Sequence, residues 1–291
     1  MRHIHALEDA NLNQPSVVTI GVFDGVHVGH QSLIKRLVDH AQATDQVSVV
    51  LNFFPHPQMV LRGFTPGYYL TLPDEKARLI SQLGVDLIVT HPFNEAVRQI
   101  RAQDFVDRLI THLRMQSLWV GQNFALGYQR EGDINFLNAY GIRRGFSVRP
   151  IDMTESRDGQ RVSSTSIREA LAAGKISSAE QLLGRPFRLS GKVMQGAQRG
   201  RQIGIPTANL DIAPEKALPK QGVYAGWATT ANQRHPTVIN IGMRPTFESE
   251  GSRPTVEAHL LDFSGDLYGQ PLHLDFVLRI REEMRFLSLI H

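Results

Sequence analysis

No cysteine occurs anywhere in the 291 residues, which removes disulfides, thiolate metal sites and a cysteine nucleophile from consideration. Any metal then has to sit on oxygen or imidazole. Long apolar runs are missing too: no stretch approaches the roughly 18 consecutive apolar residues that a bilayer requires. The opening residues, MRHIHALEDANLNQ, have neither an apolar core nor a small-residue cleavage pattern. The expectation is a soluble protein without membrane attachment, and the lack of cysteine fits a reducing cytoplasm. Nor is there an excess of one charge. A net +3 from 31 basic and 28 acidic residues is too balanced to argue for nucleic acid as a partner. Arginines do cluster locally, at Arg130, Arg143, Arg144 and Arg149 and again at Arg199 and Arg201. Small phosphorylated ligands explain such patches as well as RNA does.

What is present divides into two patterns. From residue 16 to about 151, the runs 16–22, 47–54, 86–90, 117–120 and 146–151 read as strands, with amphipathic helices between them. Leu33, Ile34, Leu37, Val38 and Ala41 share one helical face, as do Phe105, Val106, Leu109, Ile110 and Leu113. Thr71, three residues before Asp74, reads as the cap of a helix carrying Leu79, Ile80 and Leu83. This alternation predicts a doubly wound, Rossmann-like parallel α/β sheet. Two short helices follow at 166–173 and 178–183, and Gly184-Arg185-Pro186 reads as a boundary between domains 1–184 and 185–291. Beyond it, strands at 187–194, 222–229, 237–241, 256–261 and 272–280, separated by Gly and Pro, predict a small all-β barrel.

The richest chemistry lies where the first strand runs into the first helix, in TIGVFDGVHVGH. Gly21, Gly25 and Gly29 permit tight turning and close backbone approach to a ligand, and Phe23 lies among them. The helix start offers unpaired N–H groups to an anion. His27 and His30, three apart, can face one phosphate and stabilise charge building on it. Packed or solvated histidines, or a metal pair lacking a third ligand, are the alternatives. Further on, the hydroxyls of Ser163, Ser164 and Thr165 at a helix start suit phosphate oxygens, and Arg168 suits a bidentate grip. The alternative there is capping, with Ser166 and Glu169 as a capping box.

GVFDGVHVGH resembles the nucleotidyltransferase signature of the bacterial bifunctional riboflavin kinase/FMN adenylyltransferase (FAD synthetase) family, and VSSTSIR resembles its late S-S-T-x-I-R motif. FPHP at 54–57, LTLPDEKARLISQLGVD, and VGQNFALG at 120–127 followed by Arg130 are similar to it as well. Many members carry Asp where Asn123 stands and Phe where Leu126 stands. The resemblance implies that His27 and His30 act on the α-phosphate of ATP and that Ser164 and Arg168 act on the leaving pyrophosphate. His56, Asn123 and Arg130 become candidates for flavin or nucleotide contact. His56 is equally readable as a surface turn residue.

In the second half, GAQRGRQIGIPTAN at 196–209 resembles the riboflavin kinase signature G-R-x-x-G-x-P-T-A-N. Gly200 and Arg201 are then phosphate contacts. Thr207 and Asn209, two apart on an extended chain, present oxygens to one side. Hard oxygen donors beside ATP phosphates suit Mg²⁺, and the resemblance makes these two residues the metal and ATP contacts. NIGMRPTF at 240–247, VEAHLLDF at 256–263 and DLYG at 266–269 extend the likeness. Glu257, polar in an apolar strand, is a candidate general base for the riboflavin 5′-hydroxyl. A solvent-facing strand residue is the alternative. Family members continue past the last strand into a helix that helps close the flavin pocket, whereas His291 follows soon after Ile280. Either a truncated sequence or a weakened kinase would account for that.

The expectation is a cytoplasmic, multifunctional transferase, using ATP and Mg²⁺ to convert riboflavin to FMN and FMN to FAD, with self-association left open. Its rivals are a nucleotidyltransferase acting on another substrate, an aminoacyl-tRNA synthetase fragment with similar H-x-G-H logic, and a non-catalytic flavin-binding or RNA-binding module.

Overall fold

The computed structural model describes residues 1–151, 162–195, 206–231, 233–243 and 254–283. It falls into two compact units, one of residues 1–65 and 70–163, the other of residues 66–69 and 164–291. The helices at 164–183 therefore group by contact with the barrel.

The first unit is built on six parallel strands, β1 (Arg2–Ile4), β2 (Ser16–Ile20), β3 (Val47–Phe54), β4 (Leu87–Pro92), β5 (Met115–Gly121) and β6 (Ser147–Ile151). Their spatial order is β1-β4-β3-β2-β5-β6. The chain winds one way from β2 through β3 to β4, then returns to the other side of β2 for β5 and β6. The strand order thus reverses between β2 and β5, the place where open α/β sheets bind ligands. Strand residues alternate between the sheet's two faces. Val18, Val49, Leu118 and Val120 join one buried cluster with Phe105, Val106 and Leu109 of the helix α5 (Ala102–Leu113). Val17, Val50, Ile88 and Trp119 join another with Leu33, Ile34 and Leu37 of α1 (Val28–Ala43) and Ile80 of α3 (Pro73–Ser81). The remaining helices are α2 (Pro57–Arg62), α4 (Glu95–Arg98) and α6 (Ile134–Arg144).

One cap differs from expectation. The helix α3 starts at Pro73 with Leu72 in the cap position, and Glu75 reaches back to accept the Leu72 N–H at 3.0 Å. Proline suits this first position because its missing N–H would have had no helical partner. Thr71 lies one residue outside the helix, and its hydroxyl is used elsewhere.

In the second unit, α7 (Ser164–Ala172) and α8 (Ile176–Leu183) precede six antiparallel strands. These are β7 (Phe187–Met194), β8 (Ala208–Asp211), β9 (Gly222–Thr229), β10 (Arg234–Gly242), β11 (Thr255–Leu260) and β12 (Pro271–Arg281). They close as β10-β11-β8-β7-β12-β9, with β9 completing the ring against β10. Because α7 begins at Ser164, Ser166 lies inside the helix, which rules out the Ser166–Glu169 capping box. The barrel interior is filled by Phe187, Leu189, Tyr224, Ile239, Ile241, Val256, Ala258, Leu274 and Phe276. Arg188 and Asp275, opposed across β7 and β12, form a bidentate ion pair with both N–O distances 2.6 Å. Among the described residues no helix is long and apolar enough to cross a membrane.

Leu109 is wholly buried between α5 and the sheet. Leu109→Ala is expected to lower the stability of this unit by about 2–5 kcal/mol, read as a lower denaturant midpoint. An unchanged midpoint would contradict the packing described.

Candidate active sites

The segment between β2 and α1 is forced into an unusual path. Phe23, Gly25 and Val26 take φ of 50°, 81° and 42°, a region that only glycine enters without cost. Gly25 is therefore required for its conformation. Gly21 is required for space, since a Cβ there would meet the Phe23 ring at 2.9 Å. Gly29 is an ordinary buried helix residue in α1. Phe23 and Val26 offset their strained backbone by burying apolar side chains in the core on the α1 side of the sheet.

Polar groups hold the same turn. The Asp24 carboxylate, buried, accepts the Leu70 and Thr71 N–H groups at 3.0 Å. The Thr71 hydroxyl accepts the Gly25 N–H at 3.0 Å. Lys76 of α3, 1% exposed, donates its ammonium to the Val22 carbonyl at 2.8 Å. Burial pulls the Lys76 pKa down to about 8, although the Asp24 carboxylate opposes the fall. Sequence reasoning missed this trio. The available signal was Lys76 four residues before Ile80 and seven before Leu83, a cation on an apolar helical stripe.

At the far end of the turn, His27 caps α1, its Nδ1 accepting the His30 N–H at 3.3 Å. An accepting Nδ1 carries no proton, so the neutral ring keeps its hydrogen on Nε2. The His27 and His30 rings stack with centroids 3.5 Å apart and planes 19° apart, and Phe23 meets His30 edge-on at 5.1 Å. Desolvation, then the neighbouring His27 and Lys76, hold the His30 pKa well below the usual imidazole value. Its Nδ1 is buried and finds no hydrogen-bond partner among the described residues. Two stacked imidazoles at a helix start form a site suited to an incoming anion. No grouping of three or more His, Asp or Glu suited to a metal occurs among the described residues.

A cavity of about 650 Å³ opens at the carboxyl ends of the strands. Gly21 and Val22 enter it from the end of β2, Phe53 and His56 from β3, and Asn123 and Arg130 from the loop after β5. His56, Asn123 and Arg130, chosen separately in the sequence, therefore line one space. The aromatic wall of Phe53, Phe93, Phe105 and Phe124 is a further feature that spacing alone did not disclose. His56 also caps α2, accepting the Gln58 N–H at 3.0 Å, and Arg130 donates to the Asn123 carbonyl at 3.0 Å. Glu131 anchors the loop by accepting from Arg101 at 2.8 Å and from the Ala102 N–H at 2.7 Å.

In the second unit, Ser164 and Thr165 occupy the first turn of α7, and Ser163 immediately precedes it. The Arg168 guanidinium lies 4.2 Å from the centroid of the Tyr68 ring, a cation–π arrangement. On the barrel, Glu257 is directly opposite Asn209 on β8 and Asn240 on β10. Opposed residues leave a sheet on the same side. Their neighbours Val256, Ala258 and Leu260 point into the core, so Glu257, Asn209 and Asn240 form a row on the outer wall. The Thr207 hydroxyl stands 3.5 Å from the Glu257 carboxylate, and Thr207 also lines a cavity of about 520 Å³ with Ala258, Phe263 and Tyr268. Gly200 and Arg201 lie outside the described residues.

Comparison with known proteins agrees with this arrangement. A family model described as FAD synthetase matches residues 9–166, and one described as riboflavin kinase matches residues 183–291. A bifunctional riboflavin kinase/FMN adenylyltransferase of Pseudomonas fluorescens is 43% identical over 274 residues, covering 94% of this chain and 87% of that protein. One from Escherichia coli K12 is 40% identical over 293 residues, covering 99% and 91%. A solved structure from Streptococcus pneumoniae, described as a macrolide-efflux protein, superposes with a TM-score of 0.88 at 28% identity, covering 99% of this chain and 93% of that one. With a parallel sheet and a closed barrel each matched by its own family model, this chain belongs to the bifunctional riboflavin kinase/FMN adenylyltransferase family.

Proposed function

We propose that the chain phosphorylates riboflavin to FMN with ATP and then adenylylates FMN to FAD with release of pyrophosphate. Adenylyl transfer is assigned to residues 1–184 and phosphorylation to residues 185–291, with the cytoplasm as the site of both. Nucleic acid and membrane have no part in the cycle. The observation that carries the reading is the stacked imidazole pair at the start of α1, on the same turn whose other end lines the cavity where the strand order reverses.

In the adenylyl step, an oxygen of the FMN phosphate attacks the α-phosphorus of ATP while the bond to the β-phosphate oxygen breaks. No covalent enzyme intermediate is needed, so the protein contributes position and charge stabilisation. His27, with its proton on Nε2, donates to the oxygens that gain charge. His30 rests neutral, and an arriving phosphate offsets the desolvation and cationic neighbour that hold it so. Gly21, Phe23 and Gly25 shape the phosphate turn, and Gly29 stands in the first turn of the helix that receives the phosphate. His56, Asn123 and Arg130 receive the flavin or nucleotide, with the phenylalanine wall supplying apolar surface of the kind a planar ring system buries. Ser163, Ser164, Thr165 and Arg168 are assigned to nucleotide phosphates, with Ser164 and Arg168 on the departing pyrophosphate.

In the kinase step, the 5′-hydroxyl oxygen of riboflavin attacks the γ-phosphorus, ADP departs, and the hydroxyl proton passes to the Glu257 carboxylate. Thr207 and Asn209 offer hydroxyl and amide oxygens, hard donors of the kind that fit Mg²⁺, and leave the Glu257 carboxylate beside Thr207 free to take the proton. When bound there, the ion supplies charge neutralisation for ATP phosphates. Gly200 and Arg201 are assigned to the same phosphates.

Incubation with riboflavin, ATP and Mg²⁺, followed by chromatographic separation of flavins, is expected to show FMN first and FAD after it, and neither after chelation. No turnover, together with RNA affinity that falls steeply with salt, would instead support a binding module. His27→Ala is expected to lower FAD formation by about 10²–10³-fold with FMN formation intact, and equal loss of both would sink the assignment of His27 to one step. Glu257→Gln is expected to lower FMN formation by about 10²–10⁴-fold while FAD is still made from supplied FMN. An unchanged kinase rate in that variant would remove Glu257 as the base.

A further inference from the structure

Lys76 is a buried cation beside the β2–α1 turn that the proposed chemistry leaves unused. A buried ammonium is costly to desolvate, and an apolar residue of similar shape would fill the same space. Its contacts are specific. It donates to the carbonyl of Val22 at 2.8 Å, between the residue that lines the cavity and the first left-handed residue of the turn. The Asp24 carboxylate is its counter-charge, and that carboxylate is in turn fixed by Leu70 and Thr71. Its charge also reaches His30. Lys76 thus touches the turn through one carbonyl and acts on the imidazole pair through space.

We infer that Lys76 is a positioning residue for adenylyl transfer: it holds the Val22 carbonyl, with the Asp24 carboxylate as its counter-charge, so that the turn delivers His27 and His30 in register. The inference rests on the functional reading above. The charged or titratable groups in its reach are Asp24 on the turn and His30 on α1. Asp74 and Glu75 are the acidic residues on its own helix, and Glu75 is already engaged with the Leu72 N–H.

The test uses the full chain with Lys76→Met and Lys76→Arg, following FAD formation from FMN against pH, FMN formation from riboflavin, and the His30 imidazole by NMR of histidine-labelled protein. Lys76→Met is expected to lower kcat for FAD formation by up to about 10²-fold, the scale of loss from a small misplacement at a reacting centre. Its KM should change less, and FMN formation should be unaffected. With the neighbouring cation gone, the His30 pKa rises and the acid limb of the FAD profile moves to higher pH. Lys76→Arg keeps the charge, so it holds the His30 pKa down and recovers part of kcat. Wild-type kcat and acid limb in Lys76→Met would overturn the inference, as would equal impairment of both variants with His30 unmoved. Should Lys76→Met fail to fold, the wild-type protein decides. Lys76 loses its proton as pH rises through about 8, so FAD formation is expected to decline there while FMN formation does not, and a flat alkaline limb overturns the inference. No FAD from the wild-type protein would overturn the functional reading and this inference with it. Normal FAD from wild type beside an unaltered Lys76→Met overturns the inference alone.

Discussion

A turn that carries Phe23, Gly25 and Val26 through left-handed backbone persists only if its surroundings over-determine it. Here two kinds of force do so. Phe23 and Val26 sink into the core beside α1, while Asp24, Thr71 and Lys76 satisfy or grip the polar groups that this burial would otherwise strand. The candidate residues that follow β2 inherit their geometry from that turn. Gly21 and Val22 leave it toward the cavity, and His27 leaves it as the cap of α1. The strain and the site are one feature, since a relaxed turn would release both.

The sheet supplies the frame. Because successive strand residues serve opposite faces, β2 packs against α5 with Val18 and Ile20 and against α1 with Val17. A strand pinned on both faces cannot shift, so its carboxyl end is a fixed point. The order reversal between β2 and β5 leaves a gap between the connections that leave their ends. The loop after β5 borders that gap on one side, held down by Glu131 on Arg101 and Ala102. Its backbone is close-packed there: a Cβ on Gly127 would meet Ala102 at 2.6 Å.

Long periodic elements were legible in the sequence because burial writes its period into them. Strands expected at 47–54 and 187–194 match β3 and β7, and the stripes of α1 and α5 are buried as expected except for Ile110, which is half-buried. Short or locally ambiguous elements were not. Three residues of β1 carry no period, and ANLD of β8 lacks β-branched residues. The helix α6, INFLNAYGIRR, has the glycine and asparagines of a loop; its Gly141 is kept because a side chain would strike the Phe146 carbonyl at 2.5 Å. At the candidate sites, His27, His30, His56, Asn123 and Glu257 were singled out through motif and residue type, and the structure stacks His27 on His30, sets His56 and Asn123 on one cavity and puts Glu257 on the outer wall of the barrel. Lys76 was not, because its meaning depends on a carbonyl fifty-four positions away. Thr71 looked like a cap for the same reason, its true partner being distant Gly25.

The closed barrel has its own logic. Its interior is packed with Phe187, Tyr224, Ile239 and Phe276, and Asn209, Glu257 and Asn240 stand in a row on the outside. Packing and outward polar groups thereby fall to alternate residues of the same strands. Every second position of β11 can change without disturbing the intervening Val256, Ala258 and Leu260, which go on holding the cylinder together.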